Sequence, residues 1–237
     1  MNILITGGGS GLGEAITRRL ARDSAGRIYF TYNKSEETAK AIEAEFENTT
    51  AVKCDFTNDA SLKSLVDLIS RLDISVLINN AWSGGFIDTY FHKTPVADFI
   101  SGFNQNIVPT IALTQAAISV FRKKKHGKII TILTSALVNT PPIGSSVYVA
   151  NKACLAELTK IWATENVKYN ITSNSISPSF MLTGFTASID ERLIEQMAGN
   201  RPLLTPAEVA ESVVFLINAT QQTNGVNLVI NSADNIK

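Results

Sequence analysis

The chain has 237 residues, of which 45% are hydrophobic and 18% are charged, and its 21 Lys and Arg residues balance its 21 Asp and Glu residues. This balance gives no indication of a nucleic-acid partner, and no apolar stretch approaches the roughly 18 residues of a membrane span. The first predicted strand starts at Asn2, which leaves no room for a signal peptide, so we expect a cytoplasmic protein. The length suits one large α/β domain that covers residues 1–237.

Short β-branched runs recur along the chain, and most are apolar almost throughout, which is typical of strands buried on both faces. They are Asn2–Ile5, Ile28–Tyr32, Ala51–Cys54, Ile74–Ile78, Lys128–Leu133, Ile171–Ile176 and Val226–Ile230. Between most of them, apolar residues recur at spacings of three and four, which predicts helices. The alternation predicts a single-domain Rossmann-type doubly wound parallel sheet flanked by helices, with ligands at the carboxyl ends of the strands.

A glycine-rich turn, Thr6–Gly13, follows the first predicted strand and precedes a helical pattern. Gly7, Gly11 and Gly13 let the backbone turn tightly, bring bare amides close to a pyrophosphate and start a helix whose positive end faces that anion. A glycine-rich turn that binds nothing is the alternative interpretation. The strand–turn–helix context favours a dinucleotide site.

Tyr148 and Lys152 are four residues apart in a predicted helix and therefore share a face. A phenol with an unperturbed pKa near 10 is a poor acid–base catalyst at neutral pH. A neighbouring ammonium favours the ionised phenol and is expected to lower the pKa of Tyr148.

Together and in this order, the Thr-Gly-x-x-x-Gly-x-Gly turn and the Tyr-x-x-x-Lys pair resemble the short-chain dehydrogenase/reductase family. The resemblance implies that Tyr148 exchanges a proton with the substrate oxygen and that Lys152 also holds the nicotinamide ribose. Ser135 matches the serine that holds the carbonyl oxygen, and Asn106 matches the asparagine that supports a proton-relay water. Taken singly, Ser135 is equally an ordinary loop hydroxyl and Asn106 a polar residue that interrupts a helix.

The resemblance also implies a set of cofactor-binding residues. They are Gly7, Ser10, Gly11, Leu12, Gly13, Asn33, Lys34, Ser35, Asp55, Phe56, Asn80, Ala81, Tyr148, Lys152, Pro178 and Thr183. Asp55, which is expected to close the third strand, would accept a hydrogen bond from the adenine amino group. Its alternative role is that of a turn residue or a helix N-cap.

The second predicted strand ends without an acidic residue, since the first acid is Glu36. An amide, an ammonium and a hydroxyl at Asn33, Lys34 and Ser35 suit a 2′-phosphate, so NADP(H) is favoured over NAD(H). Two observations oppose this choice. Ser35 followed by two glutamates is also a good helix start, and Ser10 stands where the family often has a basic residue in the glycine loop.

Three departures from the family pattern concern the surroundings of the cofactor and the subunit contacts. Trp82 follows Asn80-Ala81 in place of glycine, Ser179 follows Pro178 in place of glycine, and Asn231-Ser232-Ala233 stands where Asp-Gly-Gly is common. They motivate an alternative function, a non-catalytic dinucleotide-binding sensor or partner subunit.

Among subclasses, the chain most resembles bacterial 3-oxoacyl-acyl-carrier-protein reductases, through the turn Tyr32–Glu37 and the segment Gly127–Ile130. This implies an NADP(H)-dependent interconversion of a carbonyl and a secondary alcohol. A 3-oxoacyl thioester is one candidate substrate, and sugar, steroid and other secondary-metabolite ketones are alternatives. A substrate lid is expected at 180–204.

Three partner predictions follow from the sequence and the resemblance. An acyl carrier protein is a candidate partner for the basic run Arg122–His126, although a solvated helix end explains that run as well. The two histidines lack metal-ligand spacing, so no metal is expected. The resemblance further implies a homodimer or homotetramer, built partly from the helices that contain Asn106–Phe121 and Tyr148–Lys168 and partly from the C-terminal strand.

Overall fold

The computed structural model describes residues 1–23, 25–85, 89–181, 183–184 and 203–230. Within these residues, seven strands form one parallel sheet in the order β3-β2-β1-β4-β5-β6-β7. The strands are β1 Asn2–Ile5, β2 Ile28–Tyr32, β3 Thr49–Lys53, β4 Ile74–Asn79, β5 Gly127–Ile132, β6 Ile171–Pro178 and β7 Asn227–Ile230. The chain runs outward from β1 to β3, returns beside β1 and runs outward again, so the predicted doubly wound sheet is confirmed and its switch point lies between β1 and β4.

Helices connect the strands. In the described part of the chain they are α1 Gly11–Asp23, α2 Glu36–Glu45, α3 Asp59–Ile69, α4 Val96–Gly102, α5 Val108–Lys124, α6 Ser146–Asn166 and α7 Pro206–Asn218. A π-helical turn, Phe103–Ile107, joins α4 to α5, and a 3-10 turn, Ser135–Leu137, follows β5.

A hydrophobic core lies on each face of the sheet. In β1, Ile3 and Ile5 pack with residues of α1, α2 and α7, whereas Leu4 between them packs with residues of α3, α5 and α6. All three side chains are at most 1% exposed. Successive strand residues point to opposite faces, so this alternation explains why the strand sequences are apolar almost throughout.

Two predicted element boundaries differ from the structure near the site. β3 pairs with β2 only as far as Lys53 opposite Tyr32, because β2 ends there. Cys54 and Asp55 therefore follow β3, whereas the sequence pattern placed Cys54 at the strand end. Asn106 lies in the π-helical turn before α5 and not in a continuous helix.

Some predictions fall outside the described residues. These include most of the predicted lid at 180–204 and the C-terminal Asn231-Ser232-Ala233. Across the described ranges, no helix combines the length and the apolar character that crossing a membrane requires. The cytoplasmic location stays a prediction. Cys54 and Cys154 are both free thiols.

Candidate active site

A cleft of about 1320 Å³ opens at the carboxyl ends of the strands, and it is lined by every residue predicted to act in catalysis or cofactor binding. The turns after β1, β2, β3 and β4 contribute the predicted dinucleotide residues. The segment after β5 contributes Ser135, the end of β6 contributes Pro178, and helix α6 contributes Tyr148 and Lys152. Parallel strands place all these segments at one edge of the sheet, which explains why residues so distant in sequence meet.

The glycine-rich turn is packed tightly against the first turn of α1. A Cβ atom on Gly13 would lie 1.9 Å from the Gly7 carbonyl oxygen, so no larger residue fits there. Gly7 has φ +65°, and its amide donates to Thr31 Oγ1 at 2.9 Å. The first-turn amides of a helix lack intrahelical acceptors, and Ser10 to Gly13 line the cleft. This cradle fits a dinucleotide pyrophosphate.

Asn80 ties the turn after β4 to the turn after β1. Its side-chain amide donates to the carbonyl oxygens of Thr6 and Gly7 at 3.0 and 3.1 Å. The amides of Asn80 and Ala81 both donate to Thr6 Oγ1 at 3.0 Å. Asn80 therefore fixes the spacing of the two loops that form the switch-point crevice.

Asp55 is a turn residue in this structure. Its Oδ1 accepts hydrogen bonds from the Thr57 hydroxyl at 2.7 Å and the Thr57 amide at 2.9 Å, whereas Asn58 caps α3. The Thr57 hydroxyl, the Thr57 amide, the Asn33 side chain and the charge of Lys34 hold the pKa of Asp55 below its usual range. Asp55 is therefore ionised at neutral pH and stands beside two residues predicted to bind the cofactor.

The end of β2 presents a cation and a hydroxyl to the cleft. Ser35 occupies the N-cap position of α2, but its side chain makes no capping hydrogen bond. Glu36, the nearest acid along the chain, pairs with Lys40 at 2.8 Å and Lys53 at 3.4 Å. Its charge is thus partly offset by cations, and Lys34 and Ser35 line the cleft.

Helix α6 carries Tyr148 and Lys152 on one face, as predicted. Lys152 Nζ donates to the Ile132 carbonyl oxygen at 2.7 Å and lies 5.8 Å from the centre of the Tyr148 ring. The Tyr148 side chain hydrogen-bonds with the Thr134 side chain. The sequence analysis missed Thr134 and the Ile132 carbonyl, because a threonine next to Ser135 and a backbone acceptor leave no distinctive spacing.

The electrostatics of this pair are opposite to the prediction. Burial raises the pKa of Tyr148 to about 12, which the Thr134 hydrogen bond opposes only in part. Burial lowers the pKa of Lys152 to about 7. Burial thus disfavours the charged form of each group, the phenolate of Tyr148 and the ammonium of Lys152.

The indole of Trp82 contacts both members of the pair. Its ring lies edge-on to Tyr148, with centroids 5.1 Å apart and an interplanar angle of 75°. Lys152 Nζ lies 4.2 Å from the centre of the Trp82 ring. The sequence marked Trp82 as a departure from the family pattern and did not predict its contacts with Tyr148 and Lys152.

Asn106 holds the loop that carries Trp82. Its Oδ1 accepts from the Ser83 amide at 2.7 Å, and its Nδ2 donates to the carbonyl oxygens of Ser83 and Gly102 at 3.0 Å each. Asn106 is 3% exposed. The structure thus gives its side chain an anchoring role, and the predicted support of a proton relay stays a prediction.

The family model for short chain dehydrogenases matches residues 1–193. The chain belongs to this family. It is therefore an oxidoreductase of the CH–OH/C=O class, in a family that binds NAD(P).

Individual relatives cover nearly the whole short-chain dehydrogenase chain. A 3-oxoacyl-acyl-carrier-protein reductase of Aquifex aeolicus is 30% identical over 223 residues, 90% of this chain and 88% of the relative. An NADP-dependent 3-hydroxy acid dehydrogenase of Schizosaccharomyces pombe is 26% identical over 224 residues, 91% of this chain and 86% of the relative. A short chain dehydrogenase of Burkholderia cenocepacia, solved in complex with NADP, superimposes with a TM-score of 0.83 at 26% identity and covers 97% and 95% of the two chains.

Two departures from the pattern of the short-chain dehydrogenases have a simple backbone explanation. Neither Trp82 nor Ser179 has a positive φ, so the conformations at these positions do not require glycine. The Ser179 amide donates to the Ile230 carbonyl oxygen at 2.7 Å and continues the pairing of β6 with β7. The backbone of the site is therefore compatible with both side chains.

Proposed function

We propose that this short-chain dehydrogenase is an NADP(H)-dependent enzyme that interconverts a carbonyl and a secondary alcohol. The convergence of Ser135, Tyr148 and Lys152 on the cleft that also holds the glycine-rich turn carries the proposal. The bound cofactor would supply the hydride transfer, and the protein would supply orientation and the proton. The residues present at the turn fit a dinucleotide, since only glycine leaves room at position 13.

In this proposal the chain's own residues divide the remaining work. Tyr148 gives a proton to the substrate oxygen in reduction and takes it back in oxidation. Ser135, at the start of the 3-10 turn after β5, holds that oxygen. Lys152 binds the nicotinamide ribose and, when charged, favours the phenolate of Tyr148.

NADP(H) is preferred because of the turn after β2. Lys34 offers a cation and Ser35 a hydroxyl that does not cap α2, both at the cleft wall. No acidic side chain occurs on Tyr32, Asn33, Lys34 or Ser35 to repel a 2′-phosphate. The Burkholderia relative solved with NADP and the NADP-dependent yeast relative support the same choice.

A 3-oxoacyl thioester is the substrate class that the relatives support best, since a 3-oxoacyl-acyl-carrier-protein reductase is among them. Apolar residues that suit an acyl chain line the cleft, including Tyr90, Ile143, Phe180 and Met181.

The basic run Arg122–His126 lies at the opposite edge of the sheet from the cleft, because it directly precedes β5. β5 has six residues and is about 20 Å long at roughly 3.3 Å per residue. Arg122 donates to Asn166 at 2.7 Å, and Lys124 bonds Asp73 at 2.7 Å and the Ile74 carbonyl oxygen at 2.9 Å. We therefore interpret the run as a structured helix end, and a carrier docked there would not border the cleft of the same chain.

Assembly into a homodimer or homotetramer is part of the proposal. Helices α5 and α6 pack on the sheet, yet they also expose Val108 at 43% and Ile161 at 47%. The edge strand β7 exposes Val229 at 37%. A second copy of the chain would cover these apolar side chains.

A substrate screen tests the proposed function. NADPH oxidation is followed with acetoacetyl thioesters, free β-ketoacid esters and a panel of sugar and steroid ketones. The proposal expects turnover with the thioesters. Tight cofactor binding without turnover on any carbonyl would instead favour the dinucleotide sensor.

A further inference from the structure

The ammonium of Lys152 is enclosed by one carbonyl and one aromatic face. Nζ donates to the Ile132 carbonyl oxygen at 2.7 Å, and the Trp82 ring covers it with its centre 4.2 Å away. The Lys152 residue is 4% exposed. A hydroxyl that is to bond Nζ from the side of the ring must take the place of the indole.

The same indole also contacts the neighbouring phenol. Trp82 meets Tyr148 edge-on and packs against the small apolar cluster of Ile107, Leu133 and Leu155. Burial raises the pKa of Tyr148 to about 12 and lowers that of Lys152 to about 7. Proton transfer at neutral pH works best when the catalytic pKa lies near the operating pH. The arrangement in the structure therefore does not favour proton transfer by Tyr148 at neutral pH.

Hydrogen bonds hold the backbone on both sides of Trp82. Ser83 is fixed by two hydrogen bonds with Asn106, and Ala81 is fixed by its bond to Thr6. Gly84 follows with φ +95°, and a Cβ atom built on it would meet nothing within 4 Å. A change in the position of the indole would therefore involve rotation about its side-chain bonds and not a shift of the anchored backbone.

We propose that Trp82 is a gate for the cofactor: in the free protein its indole occupies the cation-binding face of Lys152, and it swings away when the nicotinamide ribose binds there. The gate rests on the proposed function, in which Lys152 holds the nicotinamide ribose, and it adds a step to cofactor binding. It gives Trp82 a positioning role that the usual glycine at this place cannot have. Binding of the whole dinucleotide is then coupled to opening of the catalytic pair.

Cofactor titration tests the gate with Trp82→Ala, whose backbone conformation alanine can adopt because φ is not positive. We expect the variant to bind NADPH roughly tenfold more tightly, because a desolvated cation–π contact and an edge-on ring pair no longer have to be broken. Adenosine 2′,5′-bisphosphate lacks the nicotinamide ribose and should bind parent and variant equally. Phe91→Ala is the control, since Phe91 is an exposed aromatic residue that pairs edge-on with Phe99 and does not line the cleft.

The position of the Trp82 indole can be measured directly in the unsubstituted protein. Its two tryptophans are Trp82 and Trp162, and Trp162 lies on α6 and is buried in the core. After incorporation of 5-fluorotryptophan, ¹⁹F NMR should show that NADP⁺ shifts the Trp82 signal and exposes it to a soluble gadolinium chelate. Adenosine 2′,5′-bisphosphate should leave it in place, and the Trp162 signal should not respond to either ligand.

Each outcome decides the proposal. Equal or weaker NADPH binding by Trp82→Ala, or a Trp82 signal that ignores NADP⁺, would overturn the gate while the proposed function stands. Failure of the parent and the variant to bind either NADPH or NADH would overturn both. If Trp82→Ala does not fold, as judged by circular dichroism, the ¹⁹F measurement on the parent gives the decision.

Discussion

Lys152 Nζ lies 4.2 Å from the centre of the Trp82 ring, so the ammonium expected to activate Tyr148 instead faces an indole. Cation–π contacts of desolvated groups contribute about 2 kcal/mol or more. Here the contact does not outweigh burial, which lowers the pKa of Lys152 to about 7. In the structure, burial therefore disfavours the charged form of Lys152 that the proposed activation of Tyr148 requires.

The depressed pKa of Lys152 predicts a pH dependence of stability. Between pH 7 and about 10 the unfolded lysine binds a proton that the folded one has released, so the free energy of unfolding rises with pH in this window. Relative to Lys152→Met, the parent should gain about 2 kcal/mol between pH 7 and pH 9. Urea unfolding at both pH values measures the gain. Lys160→Met, which removes an exposed lysine of α6, should show no such change, and a flat difference for Lys152→Met would contradict the buried neutral lysine.

Lys34→Asp should reverse the cofactor preference. A carboxylate at the end of β2 repels a 2′-phosphate and can accept a bond from a ribose hydroxyl, so NADPH binding should weaken by about tenfold or more. NADH binding should stay the same or improve. Nicotinamide fluorescence titration measures both constants, and Lys63→Asp on the exposed face of α3 controls for the change in net charge. An equal loss of affinity for NADPH and NADH would show that Lys34 does not bind the 2′-phosphate.

Reversing the charge of Lys123 and Lys125 in the basic run tests where a carrier protein docks. Lys123→Glu with Lys125→Glu leaves the structural contacts of Arg122 and Lys124 intact. Because the run lies at the far edge of the sheet, turnover of free and carrier-linked thioesters should each change by no more than about twofold. A loss confined to carrier-linked substrates would show docking at the run and would require that it serve the cleft of a second chain.

The proposed homo-oligomer has a mass in solution that can be measured. Light scattering during chromatography at micromolar concentration should report at least twice the 25.6 kDa chain mass. Ile161→Glu places a charge among the exposed apolar residues of α6 and should shift the species toward the monomer. Ala41→Glu, on α2 at the other face of the sheet, should not. A monomeric parent would reject the proposed assembly.

The sequence predicts the fold closely because hydrophobic pattern and glycine spacing are local signals. β1 and β2 lie at the predicted residues, and the turn after β1 has the steric need for glycine at position 13 that the motif implies. The catalytic pair was predictable because a spacing of four on a helix fixes a common face.

Other properties of the site depend on contacts between distant segments, which no local pattern records. The sequence gives no sign that Asn106 anchors Ser83, that Thr134 bonds Tyr148, or that Trp82 covers Lys152. The expected lowering of the Tyr148 pKa was wrong for the same reason. It followed from the neighbouring charge alone, whereas the burial that dominates in the structure is produced by the packing of the β4 loop on α6.

Tyr148→Phe in a single-turnover experiment tests the central claim most directly. The substitution removes the proton donor and almost no volume, so the variant should fold and bind NADPH like the parent. Oxidation of bound NADPH by an acetoacetyl thioester should slow by about 10²–10⁴-fold, which is the usual contribution of general acid–base catalysis. A Tyr148→Phe rate within tenfold of the parent, with a substrate that the parent turns over, would contradict the assignment of Tyr148 as the proton donor.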